Sequence, residues 1–304
     1  MILTHIVTRE EDGMTLHALL RGPLALSARQ TKNAKAKGAV TVDAAPFFSN
    51  QPVREGMVVR VELDSYAIRE QGDNDTPKPP LQVLYDDDAL IAVYKPALLQ
   101  CHPSSSMPRG SDTLELRVQR HLQKPAHPVH RLDAETTGIV LFAKAPFVQA
   151  HLQSQMQKGT FTKAYQAWVL GCPNPPEGTI DAPIERENPD SFTRIVREDG
   201  QRAVSCYKTE ETITLSGGVQ VSRMSLSPIT GRTHQLRVHM THIGCPLLGD
   251  TRYATPESTD ISHALGLTYH QLAAVSLCFI HPVTGECVRI TCPPQFAFTP
   301  PGNA

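Results

Sequence analysis

Apolar positions at Leu16, Leu19 and Leu20 share a helical face and predict a short amphipathic helix near the start of the chain. A second helix follows over the basic stretch from Arg21 to Gly38, and Val40 to Val42 and Val58 to Leu63 read as strands. Residues 69–80 are polar and rich in Gly, Asp, Asn and Pro, which end secondary structure. The expected organisation is therefore a small α+β domain over 1–68, a linker over 69–80, a larger domain over 81–295 and a loose proline-rich tail over 296–304. Within the larger domain, Leu81 to Tyr85 and Ala89 to Tyr94 predict paired strands across Asp86-Asp87-Asp88, the second ended by Lys95-Pro96. Ile139 to Ala143 is a continuous apolar run, the mark of a central strand covered on both faces. Pro146 opens and Gly159 closes a helix carrying Val148, Leu152 and Met156, after which Phe161, Tyr165 and Val169 share one face of a strand. Val219 to Ser227 is a strand that turns at Ile229-Thr230-Gly231 into a helix capped by Thr233, with an apolar stripe of Leu236, Met240 and Ile243. Gly244 and Pro246 end that helix, and Leu272 to Thr291 holds a last pair of strands.

Composition adds limits rather than an answer. In 304 residues, 40% apolar and 19% charged, the chain has enough material for a core without disulfides or metals. No uncharged apolar run approaches a membrane span, and the start carries acids where a secretory leader carries an apolar core, so a cytoplasmic address is expected. Seven cysteines without a Cys-x-x-Cys pair fit neither a disulfide framework nor a common zinc site, and read as reduced thiols. The net charge of −1 looks unlike a nucleic-acid binder, yet the stretch from Arg21 to Gly38 holds Arg21, Arg29, Lys32, Lys35 and Lys37 and no acid. Taken alone, such a run is a solvated helix face.

The chemistry concentrates in two segments. Val129-His130-Arg131-Leu132-Asp133-Ala134-Glu135-Thr136-Thr137-Gly138 sets charged side chains directly before the buried strand, where a structural Arg131–Asp133 ion pair is the plain reading. A second charged cluster, Pro228 to His239, puts Arg232, His234, Arg237 and His239 at a strand-to-helix turn. Three adjacent acids at 86–88 read as a solvated turn rather than a magnesium site. His234, His239 and His242, or His121, His127 and His130, lack the spacing of a metal set, so no metal is expected. Asp133 and Glu135 could pair as glycosidase carboxylates only if both faced one cleft, and Trp168 and Phe161 read as core aromatics rather than base-stacking ones.

Together these two segments resemble the signature runs of the RluA family of RNA pseudouridine synthases. Val83 to Pro96, Lys163-Ala164-Tyr165 and Gly244 to Tyr253 are similar to further family segments in the same order, so that the resemblance spans roughly 81–295. The order of two helices and then strands around Arg54-Glu55-Gly56-Met57 resembles the small RNA-binding fold of ribosomal protein S-four. The resemblance implies an α+β fold with a long, mainly antiparallel sheet, preceded by that small domain. It implies Asp133 as nucleophile, Tyr165 lining the base pocket, Arg237 paired with Asp133 and Arg131 displacing the target base. RNA would be held by Arg131, Arg232 and His130 and by Arg29, Lys32, Lys35 and Lys37 of the basic helix. Isomerising uridine moves one ribose bond from ring nitrogen to ring carbon with no redox change, so no cofactor is expected. The expected partner is RNA, ribosomal RNA of the large subunit first and transfer RNA second, met by a monomer. A non-catalytic RNA-binding assembly factor is the rival, and intact Asp133, Tyr165 and Arg237 argue against it. Tyr94, Val204 to Tyr207 and Tyr269-His270-Gln271 depart from the usual family pattern without touching those three residues.

Overall fold

The computed structural model describes residues 2–24, 26, 28–62, 80–103, 107–108 and 111–300. Apart from Pro80, the expected linker lies outside the described residues. The N-terminal segment runs β1 (Ile2–Ile6), α1 (Leu16–Arg21), α2 (Ala28–Ala36), β2 (Val40–Val42), β3 (Ala45–Pro46) and β4 (Val58–Glu62). Its antiparallel sheet has the order β1-β4-β2-β3. β4 alternates, so Val59 and Val61 point inward to meet Leu16, Leu19 and Leu20 of α1, while Thr15 caps that helix by accepting from the Ala18 N–H. β1 was not anticipated, because Ile2-Leu3-Thr4-His5-Ile6 does not alternate cleanly; pairing along its whole length with β4 makes it a strand.

From residue 83 the order is β5 (Val83–Asp86), β6 (Leu90–Lys95), α3 (Leu114–Leu122), β7 (His127–Pro128), β8 (Thr137–Ala143), α4 (Pro146–Lys158), β9 (Thr162–Leu170), β10 (Glu177–Asp181), β11 (Ile184–Arg186), β12 (Arg194–Val196), β13 (Val204–Thr214), β14 (Gln220–Pro228), α5 (Gln235–His242), α6 (Pro256–Ala264), β15 (Leu272–Ile280) and β16 (Cys287–Thr291). One long sheet has the order β10-β13-β14-β9-β15-β8-β6-β5, with β16 added to β15 and β7 to β8. Its pairs are antiparallel except β15 with β8, which bears out a mainly antiparallel α+β fold.

Both faces of the sheet are covered. Ile91, Val93, Val140 and Phe142 pack on one side with α3 and α5; Leu90, Ala92, Ile139 and Leu141 pack on the other with α4. This period-two division explains why β6 and β8 are apolar at nearly every position. At the start of β8, Gly138 has φ +108°, and a Cβ there would lie 2.2 Å from the Ala274 carbonyl oxygen of β15. Only glycine lets the parallel pair close just beyond the Asp133 turn.

Three details differ from expectation. Thr233 does not cap α5: its N-cap is His234, in the left-handed region at φ 57°, with no side-chain cap bond. Phe161 stands outside β9 and stacks on Phe279, in the cluster on the opposite side of the sheet from Tyr165 and Val169. The tail is pinned at least to Phe298, which is 6% exposed and edge-on to Trp168, with the Ala297 and Phe298 N–H groups donating to Gln271 Oε1. Its aromatic residues, rather than its prolines, decide its fate.

Candidate active site

Asp133 lies in the turn between β7 and β8, and that turn is clamped from below. Lys95, wholly buried at the end of β6, donates from Nζ to the carbonyls of Pro96 (2.8 Å), Leu99 (2.9 Å) and Ala134 (2.6 Å). Burial lowers its pKa to about 8, and the three carbonyl dipoles satisfy all three ammonium protons. Cys101 Sγ sits 3.3 Å from both the N–H and the carbonyl of Leu132. Beyond Asp133, the Thr136 N–H donates to the Asp133 carbonyl, and Thr136 Oγ1 meets His270 Nε2 at 2.7 Å. His270 Nδ1 lies 3.0 Å from Glu135, a contact that holds the Glu135 carboxyl below the usual range. The backbone on both sides of Asp133 is thereby fixed, which fixes its carboxylate.

Arg237 is the other half of the site. It is the third residue of α5, 5% exposed, and it forks onto Asp250 through Nε (2.7 Å) and Nη2 (2.8 Å). Its remaining nitrogen, Nη1, donates to Asp133 Oδ2 at 3.1 Å. Burial opposes the charge on Arg237, but the two carboxylates outweigh it and hold its proton more firmly than usual. Burial also opposes the charge on Asp250; Arg237, together with the N–H groups of Arg252 and Tyr253, keeps that carboxyl below its ordinary value. The Tyr253 ring stacks under the guanidinium at 5.0 Å. One planar cation is thus locked by Asp250 and offers its free edge to Asp133.

Above this pair lies an open cavity of about 520 Å³, lined by Arg131, Asp133, Lys163, Tyr165, Gly231, Arg232, His234 and Arg237 among others. Tyr165 forms a wall from β9, and its burial, reinforced by the nearby Asp133, raises its pKa so that the hydroxyl keeps its proton at neutral pH. His234 Nε2 is 3.8 Å from Asp133 Oδ2, and its Nδ1 meets the Tyr253 hydroxyl at 2.7 Å. The Tyr253 oxygen also accepts the Arg194 N–H, and a neutral His234 can take the Tyr253 proton at Nδ1 while presenting Nε2–H to Asp133. Burial lowers the pKa of His234, consistent with that neutral form.

Residues 89–242 match the family described as RNA pseudouridylate synthase. The chain belongs to the RNA pseudouridylate synthase family. It is 36% identical to the ribosomal large subunit pseudouridine synthase D of Xanthomonas campestris over 70% of this chain, and spans 66% of that relative's length. It is 34% identical to the dual-specificity RNA pseudouridine synthase RluA of Salmonella typhi, over 73% of this chain and 97% of that one. Among solved structures it resembles the human RNA pseudouridylate synthase domain containing 1, with a TM-score of 0.59 and 24% identity over 71% of this chain and 85% of that one, a likeness of fold. Membership in the RNA pseudouridylate synthase family makes the chain an isomerase, and the hydrolase readings of its carboxylates and histidines fall away.

The structure brings Asp133, Tyr165, Arg237, Arg131 and Arg232 to one cavity. His130 is not with them: it is buried, its Nε2 accepts the Leu141 N–H at 3.3 Å, and its ring sits edge-on to Phe161. Both ring nitrogens lie inside the core, so His130 has no atom to offer an RNA. Lys32 and Lys37 are exposed in the N-terminal segment and Lys35 Nζ lies 2.9 Å from His17 Nδ1; the Arg29 side chain falls outside the described residues. Asp87 in the acidic turn caps the turn backbone at Ala89 and Leu90 and sits 3.1 Å from His281. Sequence reasoning missed Lys95 as the floor of the site and Asp250 as the second partner of Arg237. Each was visible only as part of a segment, because its partners lie 39 and 13 residues away.

Proposed function

We propose that this enzyme converts a uridine in structured RNA to pseudouridine, with Asp133 as the nucleophile. The observation that carries this reading is the Asp133 carboxylate at the base of the cavity, oriented by Arg237 and facing Tyr165. In the reaction the bond from ribose C1′ to uracil N1 breaks, the ring turns over, and C1′ bonds to C5; the C5 proton leaves and N1 gains one, so atoms balance. A carboxylate oriented by an arginine can stabilise or capture the electron-poor sugar or ring while the two are apart. The Tyr165 ring gives the detached base a face to lie on. Arg131, exposed on the same turn as Asp133, takes the place the base leaves in the RNA stack, where extraction costs about a few kcal/mol.

We place the substrate in large-subunit ribosomal RNA, on the strength of the name of the Xanthomonas relative. Transfer RNA stands second. The N-terminal segment, with its own apolar core and the cation-rich α2, would serve as a second RNA contact of the ribosomal protein S-four type. The test compares wild type with Asp133→Asn on total RNA from a strain lacking the gene, mapping pseudouridine by carbodiimide-dependent reverse-transcription stops. New stops with wild type alone, in large-subunit ribosomal RNA, are expected. Stops with both proteins would remove Asp133 from the chemistry, and stops confined to transfer RNA would move the substrate.

A further inference from the structure

Four cations line the cavity, and only one is neutralised by acids. Arg237 has Asp250 and Asp133. Arg131 donates to His102 Nε2 at 3.1 Å, and Arg232 donates to the Arg202 carbonyl and to Gln201 Oε1; among the described residues neither has a carboxylate partner. Lys163 has neither a carboxylate nor a hydrogen-bond acceptor among the described residues. It stands two positions before Tyr165 on β9, hence on the same face of the strand, and it lines the same cavity. Its Nζ is 3.8 Å from the point where a side chain at Gly231 would begin, so the ammonium rests against the turn that carries Arg232.

A half-buried ammonium without an acceptor loses hydration and gains nothing in return. Burial accordingly lowers its pKa. Elsewhere the same domain solves this problem fully: Lys95 is more deeply buried and has three carbonyls. A ligand entering the open cavity can supply the acceptor that the fold does not. A uracil carbonyl is neutral and needs one neutral donor, whereas three unneutralised cations brought from three separate elements match an anion.

We infer that Lys163 binds a phosphate oxygen of the nucleotide that enters the cavity, sharing its backbone with Arg131 and Arg232 while the base lies against Tyr165. This rests on the RNA reading given above and adds a substrate-positioning contact to it.

The test uses the full-length enzyme and a synthetic stem-loop built around the uridine mapped for wild type. Lys163→Gln is expected to weaken binding about tenfold, the worth of one charged hydrogen bond. The slope of log Kd against log salt should fall by about 0.7, the share of one phosphate contact. Lys163→Arg should restore most of both. A methylphosphonate replacing the phosphate on one side of that uridine should weaken wild type and leave Lys163→Gln unaffected. An unchanged Kd and salt slope would overturn the inference, as would a loss confined to kcat, which would put Lys163 on the base. If Lys163→Gln failed to fold, the wild type alone decides: an unchanged affinity after neutralising each flanking phosphate in turn overturns it. Wild type that makes no pseudouridine in any RNA defeats the parent reading instead, before the stem-loop is built.

Discussion

Arg237 and Lys163 face one cavity and are held in opposite ways. Arg237 is fixed by three hydrogen bonds to two carboxylates before any RNA arrives, while Lys163 has no acceptor among the described residues. The difference teaches which part of the site is built by folding and which is left for substrate. A group that must orient the reacting carboxylate has to be preorganised, because reorganisation during the reaction would cost rate. A group that holds incoming phosphate gains by staying unsatisfied, since its lost hydration is returned only on binding.

The sharpest way to break that contrast is to remove the acid behind Arg237. Asp250→Asn leaves a buried guanidinium short of a charge, and should cost about 3–5 kcal/mol of folding stability. Urea denaturation would read this, and turnover should fall with it as Asp133 loses its fixed partner. Lys163→Gln removes a desolvated charge with no partner, so its denaturation midpoint should hold or rise. Equal losses in the two variants would mean that Lys163 is structural after all.

A smaller effect is expected at Lys95, which tests whether the Asp133 turn is prepared by the fold. Lys95→Met leaves carbonyl groups of Pro96, Leu99 and Ala134 without their donor, at about 1–3 kcal/mol, partly offset by removing a buried charge. Because Lys95 is fully buried, RNA affinity should stay while kcat drops on the order of 10²-fold from a displaced carboxylate. Single-turnover kinetics beside a filter-binding Kd separate the two. A rise in Kd with kcat unchanged would contradict the clamp.

Much of this was legible in the residues. The continuous apolar run of β8 declared a strand buried on both faces, and Pro146 and Gly159 bounded α4 where the sequence places them. Asp133 and Arg237 were singled out because two dense charged segments beside apolar runs are conspicuous, and Tyr165 because Lys163-Ala164-Tyr165 resembles a family segment; the structure brings the three to one cavity. Lys95 was read only as the end of a strand, since a lysine beside proline looks like a solvent-facing stop; its burial depends on carbonyls from two other loops. His130 failed for the complementary reason. Its neighbours Arg131 and Asp133 suggested an exposed polar turn, but it alternates inward to meet Phe161 and the β8 backbone. Contacts across the sheet are invisible to spacing along the chain.

His130 also gives the finest probe of the contrast between the two cations. Burial drives its pKa down to about 3 from the ordinary 6.5, and the positive charge of Lys163 pushes the same way. The folded state therefore keeps a neutral imidazole where the unfolded chain takes up a proton. Stability from this group is complete above pH 6.5 and drains away as the pH falls toward 3, by about 1.4 kcal/mol for each unit. His130→Asn keeps an acceptor for the Leu141 N–H without titrating, so the gap between its urea stability and that of wild type should shift by that slope between pH 6.5 and 5. Lys163→Gln should leave that shift unchanged between pH 6.5 and 5 and reduce the loss only at lower pH, near the folded pKa, because relief from an unneutralised neighbour lets the folded imidazole take up its proton sooner. Neither Arg237 nor Asp133 is among the groups that shift His130, so replacing Asp133 should leave the His130 titration alone. A wild-type slope equal to that of His130→Asn would show that the ring reaches solvent, and would reopen His130 as a contact for RNA.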